Sequence, residues 1–192
     1  MKKLAISIAV ALAIFSVSGC STVHDAKPTG EVIRASSQPV IAQLDYAENY
    51  YKSPNKETFG DLGGTDCVNF VSQTLLSRGW KLNPKWTYTP EFTRPWISST
   101  GFREYLLTQP ELATELLWKD RDLVQVGDVV QFDWDNSGDR DHTAIVSGIQ
   151  LTNGKREILI SSHSPASFDW SITEQLAEQD DRAQVYFWQL AE

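Results

Sequence analysis

The hydrophobic periodicity of this chain changes after residue 125, from a helical repeat to alternation. Before that point, the best-defined segment spans residues 67–79, in which Cys67, Phe70, Val71 and Leu75 share one helical face. Helices followed by an antiparallel sheet predict an α+β domain. The later segments with the two-residue period of β-strands are 126–134, 142–149, 157–163 and 183–190.

Local signals define the boundaries of these elements. Thr65 or Asp66 is expected to cap the helix that starts at Cys67. Asn153 and Gly154 form a strong hairpin signal between two of the predicted strands. The predicted helices cover residues 41–51, 67–79, 100–107 and 111–117.

The first twenty residues are typical of a secretory signal. Two lysines precede an apolar run over residues 4–17 that is short for a membrane-spanning helix. The stretch SVSGC, which ends at Cys20, resembles a bacterial lipobox, in which cleavage before the cysteine leaves it with a diacylglyceryl group. We therefore expect a lipoprotein signal peptide over 1–19, a tether over 20–40 and one domain over 41–192.

This organisation predicts a location. Lipid at Cys20 would anchor the protein in the bacterial cell envelope. Ser21 is not the aspartate that favours retention in the inner membrane, so the outer membrane facing the periplasm is preferred. A soluble secreted protein is the alternative.

Charge argues against one class of partner. The chain carries 17 Lys and Arg residues against 25 Asp and Glu residues, a formal net charge of -8. Such a chain repels a phosphate backbone, so we expect no nucleic-acid binding. We expect a monomer that contacts the membrane only through its lipid.

Cys67 is the first candidate for chemistry. With Cys20 lipidated, Cys67 has no disulfide partner, whereas a Cys20–Cys67 disulfide would require the signal segment to be retained. At the start of a helix, free N–H groups and the helix dipole favour a thiolate. Cys67 is therefore a candidate nucleophile, and a buried structural thiol is the alternative.

Two of the three histidines flank the predicted hairpin. His142 opens one strand and His163 closes the next, so antiparallel pairing would bring them side by side. We expect His142 to contact Cys67 as its base and His163 to orient that base. Zinc binding by these three residues is an alternative, although it lacks a fourth ligand.

Two further patterns have competing interpretations. Residues 133–141 alternate oxygen donors like the first part of a calcium loop, but Ala144 stands where the closing glutamate belongs. The preferred interpretation is a polar loop that delivers His142. Trp86 and Trp96 are expected in the core, and a substrate groove is the alternative.

Three ordered blocks carry a family resemblance. The segment GGTDCVNFVSQTLLSRGW (63–80) is similar to a GGDCTNFVSQ-type signature of the putative amidase domain family, which is grouped with the NlpC/P60 and CHAP cysteine peptidases. The segment VGDVVQFDWDNSGDRDHTAIVSGI (126–149) resembles its second signature, and SSHS (161–164) its third. The resemblance covers about residues 41–170. Val68 replaces the Thr or Ser that often follows the cysteine.

The resemblance implies a papain-like NlpC/P60-type fold, with N-terminal helices packed on an antiparallel sheet. It makes Cys67 the nucleophile, His142 the general base and His163 the third, orienting member. For a lipid-anchored enzyme it implies a cysteine amidase or peptidase that cuts amide bonds in peptidoglycan peptides, without a cofactor or metal. A catalytically silent lipoprotein that binds a peptide or protein partner in the same groove, and an acyltransferase, remain open.

Overall fold

The computed structural model describes residues 23–25, 30–35 and 37–191. The predicted signal peptide and the lipidation site at Cys20 lie outside these residues. The elements in chain order are β1 (His24–Asp25), β2 (Glu31–Ile33), α1 (Gln38–Tyr50), α2 (Lys56–Phe59), α3 (Cys67–Arg78), α4 (Arg94–Ile97), α5 (Ser99–Leu107), β3 (Ala113–Leu117), β4 (Val129–Asp133), β5 (His142–Thr152), β6 (Lys155–Ser162), β7 (Ser167–Ser171), α6 (Ile172–Ala177) and β8 (Gln184–Leu190).

The described strands form one eight-stranded sheet in the order β1-β7-β6-β5-β4-β8-β3, and β2 pairs with β5. Strand β1 runs parallel to β7, and the other pairs are antiparallel. The predicted α+β class with helices on an antiparallel sheet is confirmed. The hairpin is confirmed as well, because Asn153 and Gly154 both have the positive φ (51° and 75°) that a tight primed turn requires.

Helix α3 begins and ends at the predicted positions. Gly79 ends it in the left-handed conformation (φ 112°), and its N–H bonds the carbonyls of Leu75 and Leu76. The expected side-chain cap at its start is not formed. Instead, the Asp66 carboxylate accepts hydrogen bonds from the backbone N–H of Leu62 and from the side chain of Asn69.

The sheet carries a separate apolar cluster on each face. Val129 and Ile145 pack with the helices α3 and α5. Their strand neighbours Val130, Ala144 and Val146 point the other way, into a cluster that includes α6 residues. Successive strand residues alternate between the two faces of the sheet. We call the face covered by α3 and α5 the helix face, and the opposite face the second face.

The helix predicted over residues 111–117 is wrong. Residues Ala113–Leu117 instead form the edge strand β3, which pairs antiparallel with β8. Leu116 is buried against the second face, while Leu117 is 46% exposed. Backbone pairing and alternate burial therefore outweighed the helical propensity of this short segment.

Part of the predicted tether joins the domain. Residues Glu31–Ile33 pair with the far end of β5, and His24 stacks on Trp170 with ring centroids 3.9 Å apart. Arg34 donates to the Asp169 carboxylate at 2.7 Å. These additions rest on backbone pairing, a ring stack and the side-chain contacts of Arg34, which leave no periodic signal in the sequence.

Trp86 and Trp96 lie in the core, as preferred, and do not line a groove. Both are fully buried, and their ring centroids are 4.8 Å apart. Their indole N–H groups donate to Ser72 and Asn69, respectively. A large aromatic side chain with a satisfied N–H is a stable core residue.

Within residues 23–25, 30–35 and 37–191, no helix has both the length and the apolar character needed to cross a bilayer.

Candidate active site

Cys67 is the first residue of α3, on the helix face of the sheet. Its side chain is buried, with 7% exposure. Ser99 Oγ lies 3.7 Å from its sulfur, and the backbone N–H groups of Thr143 and Val68 act to lower the pKa of the thiol. Polar groups of three residues therefore act on one thiol at the start of a helix.

Burial and hydrogen bonding oppose each other at this thiol. Burial raises the pKa of the Cys67 thiol above its ordinary value, because a thiolate is poorly solvated there. Hydrogen bonds from Ser99, Thr143 and Val68 act in the opposite direction but are outweighed. The unliganded site therefore favours the neutral thiol at neutral pH.

A polar network lies behind Ser99. The Thr143 hydroxyl donates to Ser99 Oγ at 2.9 Å, and Gln131 Nε2 donates to Thr143 Oγ1 at 3.1 Å. Gln131 also donates to the Ser99 carbonyl and accepts from the indole of Trp188. These residues are all buried, so their polar groups stabilise the fold only because they pair with one another.

His163 lies on the same face as Cys67. Its Nδ1 is 2.6 Å from a carboxylate oxygen of Asp66, the residue that precedes Cys67. Its ring stacks on Phe70 of α3 at 4.1 Å between centroids, and its Nε2 is 2.7 Å from the carbonyl oxygen of Tyr50. Both nitrogens face acceptors, so neither presents a lone pair to the thiol in this arrangement.

His142 lies on the second face of the sheet. It pairs with Phe132 across β4 and β5, and its ring lies 5.8 Å from that of Phe132 and 6.3 Å from that of Trp134. Its Nε2 is buried without a hydrogen-bond partner. Burial lowers the pKa of His142 to about 4, which keeps the imidazole neutral.

Two expected contacts are therefore absent. Thr143 faces Cys67, so its neighbour His142 points away from Cys67, and the expected contact between the two is wrong. The expected adjacency of His142 and His163 is also wrong. His163 stacks on Phe70 on the helix face, whereas the ring of His142 lies beside Phe132 on the second face.

The metal interpretations gain no support from these positions. A zinc site of Cys67, His142 and His163 would need ligands from both faces of the sheet. In the described part of the chain, the carboxylates of Asp133, Asp135 and Asp141 lie within 4.8 Å of one another.

The oxygens of that carboxylate group already have partners. Asp133 accepts from the N–H groups of Ser137 and Gly138, and Asp141 accepts from the N–H of Trp134. The guanidinium of Arg140 lies 3.7 Å from Asp133. The loop is thus a hydrogen-bonded polar turn, as expected, but it does not deliver His142 to Cys67, because His142 lies on the second face of the sheet.

A cavity of about 890 Å³ lies at the other end of α3 and does not include Cys67 among its lining residues. Its polar groups have structural partners. The Asp128 carboxylate accepts from the N–H groups of Gln125 and Leu190, and burial raises the pKa of Asp128 to about 6. Arg78 donates to the carbonyl of Gly127. We therefore place the candidate site at Cys67, where a nucleophilic atom at the start of α3 lies beside the Ser99 hydroxyl.

Sequence reasoning missed several residues of this site. Asp66 was considered only as a helix cap, and Ser99, Gln131 and Trp188 were not considered at all. One signal was available: Gln131 is polar in a strand whose neighbours, Val130 and Phe132, are large and apolar. A buried polar residue in such a strand indicates a network.

Comparison with known proteins adds one finding. No curated protein matches the chain. The family model of the putative amidase domain matches residues 38–188, which include α3, most of the sheet and both histidines of the predicted site. This match covers well over half of the chain, and the chain therefore belongs to the putative amidase domain family.

Proposed function

We propose that this protein is a cysteine amidase or peptidase of the cell envelope, with Cys67 as its nucleophile. The observation that carries the proposal is a cysteine at the first position of helix α3, with Ser99 Oγ 3.7 Å from its sulfur. The family name indicates amide hydrolysis at a coarse level. The papain-like cysteine mechanism is proposed from the resemblance of the sequence blocks, because that family is grouped with the NlpC/P60 and CHAP cysteine peptidases.

Burial of the thiol decides how the sulfur would be activated. A neutral resting thiol must lose its proton as it attacks, so a general base takes part in the step. The sulfur would attack the carbonyl carbon, and its proton would pass to the base. A C–S bond forms, the base returns the proton to the leaving nitrogen, and the C–N bond breaks.

Water completes the cycle. It attacks the Cys67 thioester, the C–S bond breaks, the acid is released, and the sulfur regains a proton. An amine that takes the place of water would turn the same thioester into an acyltransferase intermediate. Because both reactions use the same groups, products decide between them.

We propose His163 as the base, in place of His142. His163 shares the helix face with Cys67, and its bond to Asp66 orients the ring as a carboxylate does in catalytic triads. Its Nε2 would first have to leave the carbonyl of Tyr50. The role thus requires a local exchange of one hydrogen bond when substrate binds.

The proposed setting follows from the N-terminal sequence. Lipid at Cys20 would hold the domain at the envelope, with the outer membrane facing the periplasm as the preferred location. Peptidoglycan peptides are the amide substrate that such an enzyme would meet, and no cofactor is required for the steps above.

Catalytic silence is the second candidate, and two observations favour it. The thiol is buried, and the expected base His142 faces away from it. In that case the domain would bind a peptide or protein partner without cutting it. The two candidates differ in the role of Cys67, because an enzyme needs this residue for substrate turnover and a silent binding domain does not.

The test compares the full chain with its Cys67→Ala variant on purified muropeptides, with products identified by mass spectrometry. The proposal expects fragments from the wild type and none from the variant. An added amine separates hydrolysis from acyl transfer. Fragments from both proteins would contradict the role of Cys67, and fragments from neither, together with binding by both, would favour the silent domain.

A further inference from the structure

A chain of hydrogen bonds with a fixed direction starts at the indole of Trp188. That N–H donates to Gln131 Oε1 at 2.9 Å, and Gln131 Nε2 donates to the Ser99 carbonyl at 2.8 Å. An indole can only donate and a carbonyl can only accept. Both ends of the Gln131 amide are therefore fixed, and it cannot be flipped.

The direction passes from Gln131 through two hydroxyl groups. Gln131 Nε2 donates to Thr143 Oγ1 at 3.1 Å, which leaves the Thr143 hydroxyl hydrogen for Ser99 Oγ at 2.9 Å. Ser99 Oγ thereby accepts one bond and keeps its own hydrogen. That hydrogen is available for the Cys67 sulfur at 3.7 Å.

The reverse direction at the end of this chain is less favourable. If the Cys67 thiol donated to Ser99, the Ser99 hydroxyl hydrogen would need another acceptor, or it would turn to Thr143 and leave the Thr143 hydroxyl hydrogen in need of one. Thr143 is fully buried, and an unpaired buried hydroxyl costs more than an unpaired thiol, since S–H is a weak donor. A thiolate at Cys67 has no hydrogen to donate, so it would require the forward direction, in which Ser99 donates to the sulfur.

The Ser99 hydroxyl is not needed to hold its own helix. The N-cap of α5 is Ser98, whose side chain accepts from the N–H of Gly101 at 3.1 Å. Ser99 follows as the first helical residue and is 6% exposed. Its hydroxyl is therefore free to serve the sulfur.

We infer that Ser99 is a positioning residue, whose O–H is directed at the Cys67 sulfur by the chain Trp188–Gln131–Thr143 and favours the attacking form of that sulfur. This inference rests on the proposed nucleophilic role of Cys67. It extends that role to residues from four separate elements: α5, the paired strands β4 and β5, and β8.

The test measures the ionisation of Cys67 directly and needs no substrate. The full chain is titrated by its ultraviolet thiolate absorbance, and the titration of the same protein with Cys67→Ala is subtracted. The difference isolates Cys67 from Cys20 and from the tyrosines. Ser99→Ala is expected to raise the thiol pKa by about one unit, the effect of one lost charge-assisted hydrogen bond.

Matched variants test the direction of the chain. Thr143→Val keeps the shape but removes the hydroxyl and is expected to raise the pKa by less, whereas Thr143→Ser restores the wild-type value. Trp188→Phe removes the first donor and should also raise the pKa. Trp86→Phe removes an equally buried indole that donates to Ser72 outside the chain, so it should leave the pKa unchanged.

Three results would overturn the inference in variants whose near-ultraviolet circular dichroism is unaltered. They are an unchanged or lower pKa in Ser99→Ala, an equal rise in Thr143→Ser and Thr143→Val, and an equal rise in Trp86→Phe and Trp188→Phe. Muropeptide cleavage is scored separately. The inference about Ser99 and the proposed hydrolysis can therefore fail independently of each other.

Discussion

Two adjacent residues of β5, Thr143 and His142, occupy opposite environments. The Thr143 hydroxyl is hydrogen bonded to Ser99 and Gln131 on the helix face, next to Cys67. On the second face, His142 has a buried Nε2 without a partner among aromatic rings. A shift of one residue along the strand therefore changes the environment from a hydrogen-bonded polar network to a buried imidazole whose Nε2 has no partner.

This difference shows that a histidine at a motif position can lie on the face of the sheet opposite to the cysteine. The position of a residue in the strand determines which face of the sheet its side chain occupies. The pairing register with β4 determines that position. On the helix face the candidate imidazole is His163, which reaches Asp66 and Phe70 from beyond the end of β6.

The largest expected effect is a difference in kcat/KM between variants of the two histidines. His163→Ala should lower kcat/KM on muropeptides by about 10²- to 10⁴-fold, the usual contribution of a general base. His142→Leu should leave it near the wild-type value, because that side chain is on the other face. Steady-state kinetics of both variants, with thermal melts as the control for folding, check this. The opposite ranking would return the role of base to His142.

A second prediction uses pH to test the environment of His142. Its pKa is about 4 in the folded state and about 6.5 when unfolded, so between these values only the unfolded chain binds the proton. Stability is therefore full above pH 6.5 and falls as the pH drops toward 4, by about 3 kcal/mol from this group alone. Urea unfolding of the wild type and of His142→Leu at several pH values measures it.

The difference in unfolding free energy between these two proteins isolates His142 from the carboxylates. As the pH falls, the wild type should lose more unfolding free energy than His142→Leu. A difference that stays constant from pH 7 to pH 4 would mean that the imidazole is solvated or paired in the folded protein.

The smallest effect compares one lost contact on each face at pH 7. Trp188→Phe leaves Gln131 Oε1 buried without its donor and should cost about 1–3 kcal/mol. His142→Leu removes a nitrogen that has no partner and should cost less. Chemical unfolding of both variants gives the two free energies. Equal losses would indicate that the network on the helix face adds nothing beyond packing.

Several elements could be predicted because their signals are local. The helix from Cys67 to Gly79 carries its own apolar face and its own glycine stop, and Asn153-Gly154 specifies a hairpin by backbone conformation. The edge strand Ala113–Leu117 could not be predicted in this way. Its state depends on pairing with β8, which lies about 70 residues further along the chain.

The candidate site divides along the same line. The sequence by itself determined that a cysteine starts a buried helix and that two histidines stand at the ends of a hairpin in an antiparallel sheet. Only the tertiary structure decided that His163 shares a face with Cys67, that His142 does not, and that Ser99 Oγ lies 3.7 Å from the sulfur. The physical reason is that side-chain facing depends on strand register, and register is set by contacts between segments far apart in the chain.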